Sequence, residues 1–185
     1  MLKELYRKTE EEMKTALGAL EKEFSTIRTG RATPTVLDTI VVDAYGSKVP
    51  IKQVASISIP DPKTIVIQPW DKSTISPIEK AILAANLGFT PTNDGRVVRI
   101  IIPALTEERR KEYVKLAKQM SESARVAIRN SRRKHKDEIK NLEKERQIGE
   151  DEMHKDIEKI QEMTDKYIAK VDSLLVEKEN EIMKV

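Results

Sequence analysis

Cysteine is absent from the 185 residues, which excludes disulfides, thiolate metal sites and cysteine nucleophiles. Only two histidines are present, His135 and His154, and they lack the spacing of a metal-binding pair, so both read as structural or surface residues. No apolar run approaches the roughly 18 residues of a membrane span. The chain opens Leu2-Lys3-Glu4-Leu5-Tyr6-Arg7-Lys8, with charges where an export signal carries apolar residues. A soluble, cytoplasmic protein without a membrane partner is expected. No dinucleotide fingerprint, nucleophile elbow or pair of catalytic carboxylates is found. Gly46-Ser47-Lys48 matches the tail of a phosphate loop, but the upstream glycine and the following helix are missing. The sequence therefore predicts no enzyme, no cofactor and no metal.

Aromatic residues are scarce at 4%, while charged residues reach 35%, a composition that suits long helices with much surface per residue. From Leu2 to Arg28, Tyr6, Met13, Leu17, Leu20, Phe24 and Ile27 form the stripe of an amphipathic helix, stopped by Gly30 and Pro34. A second helix is predicted over 106–146. Thr106 can cap it, Glu107 and Glu108 suit its dipole, and its stripe is Tyr113, Ala117, Met120, Ala124, Ala127, Ser131, His135, Ile139 and Leu142. It contains no Gly or Pro and would be about 60 Å long at roughly 1.5 Å per residue. Gly149 is expected to break it before a third helix, which runs from Glu150 to the end with a stripe from Met153 to Ile182.

Between the first two helices the pattern changes in kind. Leu37 to Asp43, Lys48 to Ile51, Ser56 to Ile59, Thr64 to Gln68 and Val97 to Ile102 read as strands, with a hairpin turn at Tyr45-Gly46-Ser47 and a turn at Asn93-Asp94-Gly95. Ser76 to Leu83 reads as one short helix capped by Ser76, and residues 31–103 are expected to hold about six strands and this one helix. Trp70 reads as a packing residue between strand and helix rather than an interface anchor.

Three amphipathic helices need partners for their apolar faces. The fold class expected is therefore α+β with two domains: an antiparallel three-helix bundle from 1–30 and 104–185, and a small inserted β/α/β domain over 31–103. The two crossings, near 30–34 and 102–106, place candidate hinge residues at Gly30, Thr33, Pro34, Pro103, Ala104 and Leu105.

The net charge of +3 hides an uneven distribution. Residues 104–148 hold 14 Lys or Arg against 8 acids, and residues 149–185 hold 6 against 11. The basic excess concentrates in "RVAIRNSRRKHK" (125–136), which contains no acid. At about 100° per residue, Arg125, Arg129, Arg132, Lys136 and Lys140 share one face with Arg133 beside them, pointing away from the packed stripe. A solubilising face interleaves Glu with its cations, and none interrupts this window. Arginines without counter-charge suit phosphate, to which guanidinium offers two hydrogen bonds. Without interleaved aromatics, backbone or shape recognition of folded RNA fits better than base stacking.

The residues also carry a likeness. "IRTGRATP" (27–34), "QPWDKS", "IEKAI", "NDGRVVRI", "LTEERRKEYVKLAK" (105–118) and "ARVAIRNSRRK" (124–134), in this order and spacing, resemble the bacterial ribosome recycling factor family nearly end to end. The resemblance implies an L-shaped, tRNA-like molecule, and a monomer is expected. It implies a factor that binds the large subunit's ribosomal RNA after termination and, with elongation factor G and the GTP which that factor hydrolyses, separates the subunits. It also implies RNA contacts at Arg129 and Arg132, with Arg110, Arg28 and Arg31 at further family positions, and an inserted domain that swings about the hinge. Two departures stand out: Ala44-Tyr45-Gly46 where many members have two tyrosines, and Lys134-His135 where many have an acid and a small residue. The second implies a more basic stripe and higher nonspecific RNA affinity. A general structured-RNA or ribosome-parking protein and a helical protein–protein scaffold are the alternatives.

Overall fold

The computed structural model describes residues 1–184. The chain divides into two compact units, Met1–Arg28 with Glu107–Lys184, and Thr29–Thr106.

The first unit is three helices: α1 (Leu2–Ser25), α4 (Glu107–Lys144) and α5 (Glu150–Met183). Leu5 and Tyr6 meet Ile139 and Ile160 at one end, while Leu20 and Phe24 share the main core with Ala117 and Ile182. Hence α1 runs antiparallel to α4 and parallel to α5. The seam of α4 is Ala117, Ser121, Ala124, Ile128, Ser131, His135 and Ile139, with steps of three and four that alternate as in a coiled coil as far as His135. The expected stripe needs correction at one step. Ala127 is exposed, and Ile128, which the stripe omitted, is fully buried. A spacing of 3.5 puts 128, not 127, four residues after Ala124 on the partner-facing line.

Both helix ends fall earlier than predicted. α1 stops at Ser25 because the hydroxyls of Ser25 and Thr26 donate to the carbonyls of Lys22 and Glu23, each at 2.6 Å, and so take up orphan acceptors of the last turn. α4 does not wait for Gly149. Arg146 adopts φ +58°, Gln147 N–H donates to Leu142 C=O at 2.9 Å and Arg146 N–H to Glu143 C=O at 2.8 Å, the two bonds of a Schellman closure. Gly149 instead caps the start of α5.

The second unit carries six strands: β1 (Val41–Ala44), β2 (Ser47–Pro50), β3 (Ala55–Asp61), β4 (Thr64–Pro69), β5 (Pro91–Asn93) and β6 (Val98–Ile101). β1 and β2 form a hairpin closed by Tyr45 and Gly46 at φ +54° and +76°, the two positive values that a tight primed turn requires. The other four make an antiparallel sheet in the order β3-β4-β6-β5, so β6 is internal as its apolar run suggested. α3 (Ile75–Ala84) lays Ile75, Ile78 and Ile82 into the core with Ile65, Ile67, Val98 and Ile100. The strand count agrees with the expected six or so, but the one-turn helix α2 (Ile51–Val54) and the place of the short β5 were not foreseen. Pro34–Leu37 is a 3-10 turn, so the first strand starts at Val41 rather than Leu37. Ser76 is not a cap: Asp71 Oδ1 accepts from Ser73 N–H at 2.9 Å and starts a 3-10 turn that runs into α3.

Both ends of this unit are tied to the β3–β4 turn. Ala32 N–H donates to Pro62 C=O at 2.8 Å, and Ile102 N–H donates to Lys63 C=O at 2.7 Å. Thr33 and Pro34 lie beyond the first tie, Thr33 as the residue that caps the 3-10 turn. Gly30 stands before it at φ +73°, where a Cβ would meet Leu105 Cγ at 3.3 Å. Glycine is therefore required there on two counts, a left-handed backbone and a close neighbour.

Trp70 corrects another expectation. It leaves the sheet at the end of β4 with 71% of its surface exposed and does not pack between strand and helix.

Candidate nucleic-acid interface

The basic residues of α4 occupy the flank that faces α5 rather than the side opposite the core. Arg125 Nη2 and Nε donate to Asp172 Oδ1 at 2.6 and 2.9 Å, and its Nη1 reaches Glu122 Oε2 at 3.2 Å. The other oxygen of Glu122 accepts from Arg129 Nη1 at 3.1 Å. Arg132 Nη1 donates to the amide oxygen of Gln161 at 3.3 Å, and Gln161 Nε2 donates onward to Asp165 at 2.8 Å. Helical spacing explains the grouping: 125, 129, 132 and 136 fall within about one turn-face of each other, on the shoulder where α5 supplies partners.

The stripe thus divides. Arg125 and Arg129 are neutralised by carboxylates, Glu122 three residues before the acid-free window and Asp172 on another helix. The expectation of arginines without counter-charge fails for these two. It holds for the rest: among the described residues, Arg132, Arg133 and Lys136 form no ion pair. Arg132 and Lys136 are half-buried and Arg133 is exposed. The guanidinium of Arg132 is held in position by a neutral amide, which fixes its direction without cancelling its charge.

The remaining candidates are scattered. Arg110 lies on α4 about 22 Å from Arg125 at roughly 1.5 Å per residue. Arg28 ends the first unit, and Arg31 belongs to the second. Glu122, Asp172 and Gln161 are the residues that sequence reasoning missed. Glu122 was findable as the i−3 and i−7 neighbour of two arginines, whereas the α5 partners depend on how two helices are phased.

No group of three or more His, Asp or Glu suited to a metal occurs among the described residues. None of their helices is long and apolar enough to cross a membrane.

A family model described as ribosome recycling factor matches residues 20–183. The ribosome-recycling factors of Carboxydothermus hydrogenoformans and Bacillus subtilis are each 50% identical to this chain over its full length and theirs. The chain belongs to the ribosome recycling factor family. A solution structure of a ribosome recycling factor superposes with a TM-score of 0.76 at 43% identity, covering 100% of this chain and 98% of that one. A second match has a TM-score of 0.65 at 46% identity and covers all of both chains. It comes from models for the T. thermophilus ribosome recycling factor and the E. coli elongation factor G bound to the E. coli post-termination complex.

Within this family member, Lys134-His135 does not enlarge the basic stripe as expected. Both turn toward α1. Lys134 Nζ pairs with Glu12 Oε1 at 2.6 Å, while Glu12 Oε2 accepts from Ser131 Oγ at 2.8 Å and lies 3.1 Å from His135 Nε2. His135 is 1% exposed, and its other nitrogen faces Glu138 Oε2 at 3.4 Å. The pair closes a polar layer in the bundle. Partial burial pushes the Glu12 carboxyl up, but hydrogen bonds from Lys134, Ser131 and His135 outweigh it and bring the carboxyl down to about 2.

A depressed carboxyl stabilises the fold above its unfolded value near 4.5 and loses that stabilisation as pH falls toward 2. The Glu12 side chain is 37% exposed, so solvent screening cuts the effect to about 1–2 kcal/mol. The stability difference between the native chain and Glu12→Gln should narrow by about 1 kcal/mol between about pH 5 and pH 3. Denaturant midpoints at the two pH values measure it.

Proposed function

We propose that this chain binds the large ribosomal subunit after termination and, together with elongation factor G and the GTP which that factor hydrolyses, separates the subunits for a new round of translation. It works in the cytoplasm as a monomer and makes or breaks no bond itself. The observation that carries this reading is the uncompensated trio Arg132, Arg133 and Lys136, on a chain that matches ribosome recycling factors end to end.

The mechanism follows from charge and connectivity. Uncompensated guanidinium groups release counterions and chelate phosphate oxygens when the bundle meets ribosomal RNA. Arg132 and Arg129 are assigned to this contact, with Arg125, Arg133 and Lys136 beside them and Arg110, Arg28 and Arg31 as outlying contributors. Motion between the units concentrates in two short segments. The backbone ties of Ala32 and Ile102 leave residues 29–31 and 103–106 as the segments able to bend, so Gly30, Pro103, Ala104 and Leu105 are the stronger hinge candidates, and Thr33 and Pro34 anchor the hinge from inside the second unit. A push on the inserted unit by the translocase would then act through these segments on the RNA held by the bundle.

The test is separation of post-termination ribosomes by the full chain. Subunits should appear only when elongation factor G and GTP are both present. Binding without separation would favour a ribosome-parking protein, and salt-insensitive association with protein alone would favour a helical scaffold.

A further inference from the structure

Two arginines of the basic stripe, Arg125 and Arg129, are already paired in the free protein, and their partners are carboxylates. Glu122 holds Arg125 at 3.2 Å and Arg129 at 3.1 Å, and Asp172 holds Arg125 at 2.6 Å. We propose that Glu122 and Asp172 are built-in competitors for the RNA backbone, which keep Arg125 and Arg129 in reserve until a phosphate array of the right spacing displaces them. The proposal rests on the reading that this flank of α4 meets RNA.

Three features support exchange over permanent stapling. Carboxylate and phosphate present the same pair of oxygens to a guanidinium fork, so each can replace the other without moving the arginine far. The two acids are open to water, Glu122 with 52% and Asp172 with 55% of the side chain exposed. Once displaced, they return to solvent and are not left as buried unpaired charges, so the exchange is cheap. Finally, the next turn of the same flank carries Arg132, Arg133 and Lys136, which among the described residues have no carboxylate to displace.

Engagement therefore has two stages. Any RNA can meet the open trio, but only one that also presents phosphates along the preceding turn gains Arg129 and Arg125. A weak, irregular strand must overcome the competitors with few contacts in return, whereas a rigid folded RNA of fitting shape overcomes them with many. The acids lower affinity for both and lower it more, in relative terms, for the wrong partner.

The test compares the full native chain with Glu122→Gln, Asp172→Asn and the double variant, titrated against polyuridylate and against purified large ribosomal subunits across a salt series. The double variant should bind polyuridylate about three- to tenfold tighter at low salt, with the slope of log K against log salt steeper by roughly 1 to 1.5. Large-subunit affinity should rise less, so discrimination between the two ligands falls. Unchanged or weaker polyuridylate binding by variants that keep native helicity would overturn the proposal and make the pairs staples between α4 and α5. Should Asp172→Asn loosen the bundle, Glu122→Gln alone decides, because the arginines that Glu122 accepts from, Arg125 and Arg129, both lie on its own helix. If the native chain binds neither large subunits nor polyuridylate, the proposed function itself fails. If it binds and the variants gain nothing, only this inference does.

Discussion

Replacing Arg132 by alanine should weaken binding to the large ribosomal subunit about ten- to a hundredfold while leaving the fold intact. The two halves of that expectation have separate causes. Among the described residues, Arg132 makes one hydrogen bond, to the Gln161 amide oxygen at 3.3 Å, and no ion pair, so its removal leaves no orphaned charge on α5. The stability change should stay within about 0.5 kcal/mol, typical of surface sites. On RNA, by contrast, a charge-assisted contact to phosphate is worth about 1.5–3 kcal/mol, which is the stated loss in affinity. Arg125→Ala gives the informative contrast, because part of what it offers to RNA is already spent on Asp172 and Glu122. Its effect on subunit binding should be the smaller of the two, and its effect on stability the larger. Equilibrium titration of large subunits at moderate salt measures both; unchanged binding by Arg132→Ala contradicts its assignment.

Ile128→Ala should destabilise the bundle by about 2–5 kcal/mol, the largest effect expected of any single change considered. Ile128 is fully buried in the core that joins Met13, Leu20 and Phe24 of α1 to Ala124 of α4 and Tyr167 and Val171 of α5. Three methyl or methylene groups would be lost from a region where three helices meet, with little freedom to collapse. Ala127→Ser, one residue away, should move the denaturant midpoint by less than about 0.5 kcal/mol, because Ala127 is exposed. Equal effects at the two positions would put the seam of α4 back where the 3.6-residue pattern first placed it. Helical circular dichroism during denaturation follows the bundle directly.

That one-residue difference also marks what was and was not legible in the sequence. The helices, the α+β class and the internal position of β6 were visible because long amphipathic stripes and apolar strands repeat over many residues, so single misfits average out. Helix ends were not. They depend on local hydrogen bonds, such as the hydroxyls of Ser25 and Thr26 turning back onto the last carbonyls, or Arg146 taking a conformation more typical of glycine. α2 and β5, at four and three residues, are too short for any period to show.

The candidate interface was legible in part for a related reason. Acid-free windows reveal counter-charges on the same helix only, and Asp172 comes from a helix more than forty residues later in the chain. The reading of Lys134 as extra positive surface failed similarly, since Glu12 of α1 pairs with it, whereas His135 is buried in the bundle as its place on the apolar stripe implies. Trp70 was misjudged because sequence gives a tryptophan's size but not its side of the sheet. At 71% exposed it stands clear of the core.

The proposed function has this chain separate post-termination ribosomes by laying a basic helix on RNA. The most direct test is light scattering of such ribosomes mixed with the native chain or with Arg132→Ala, each with and without elongation factor G and GTP. Scattering should fall for the native chain only in the complete mixture, and at least tenfold more slowly for Arg132→Ala at subsaturating concentration. Separation by the native chain without the translocase, or equal rates for the two proteins, would contradict it.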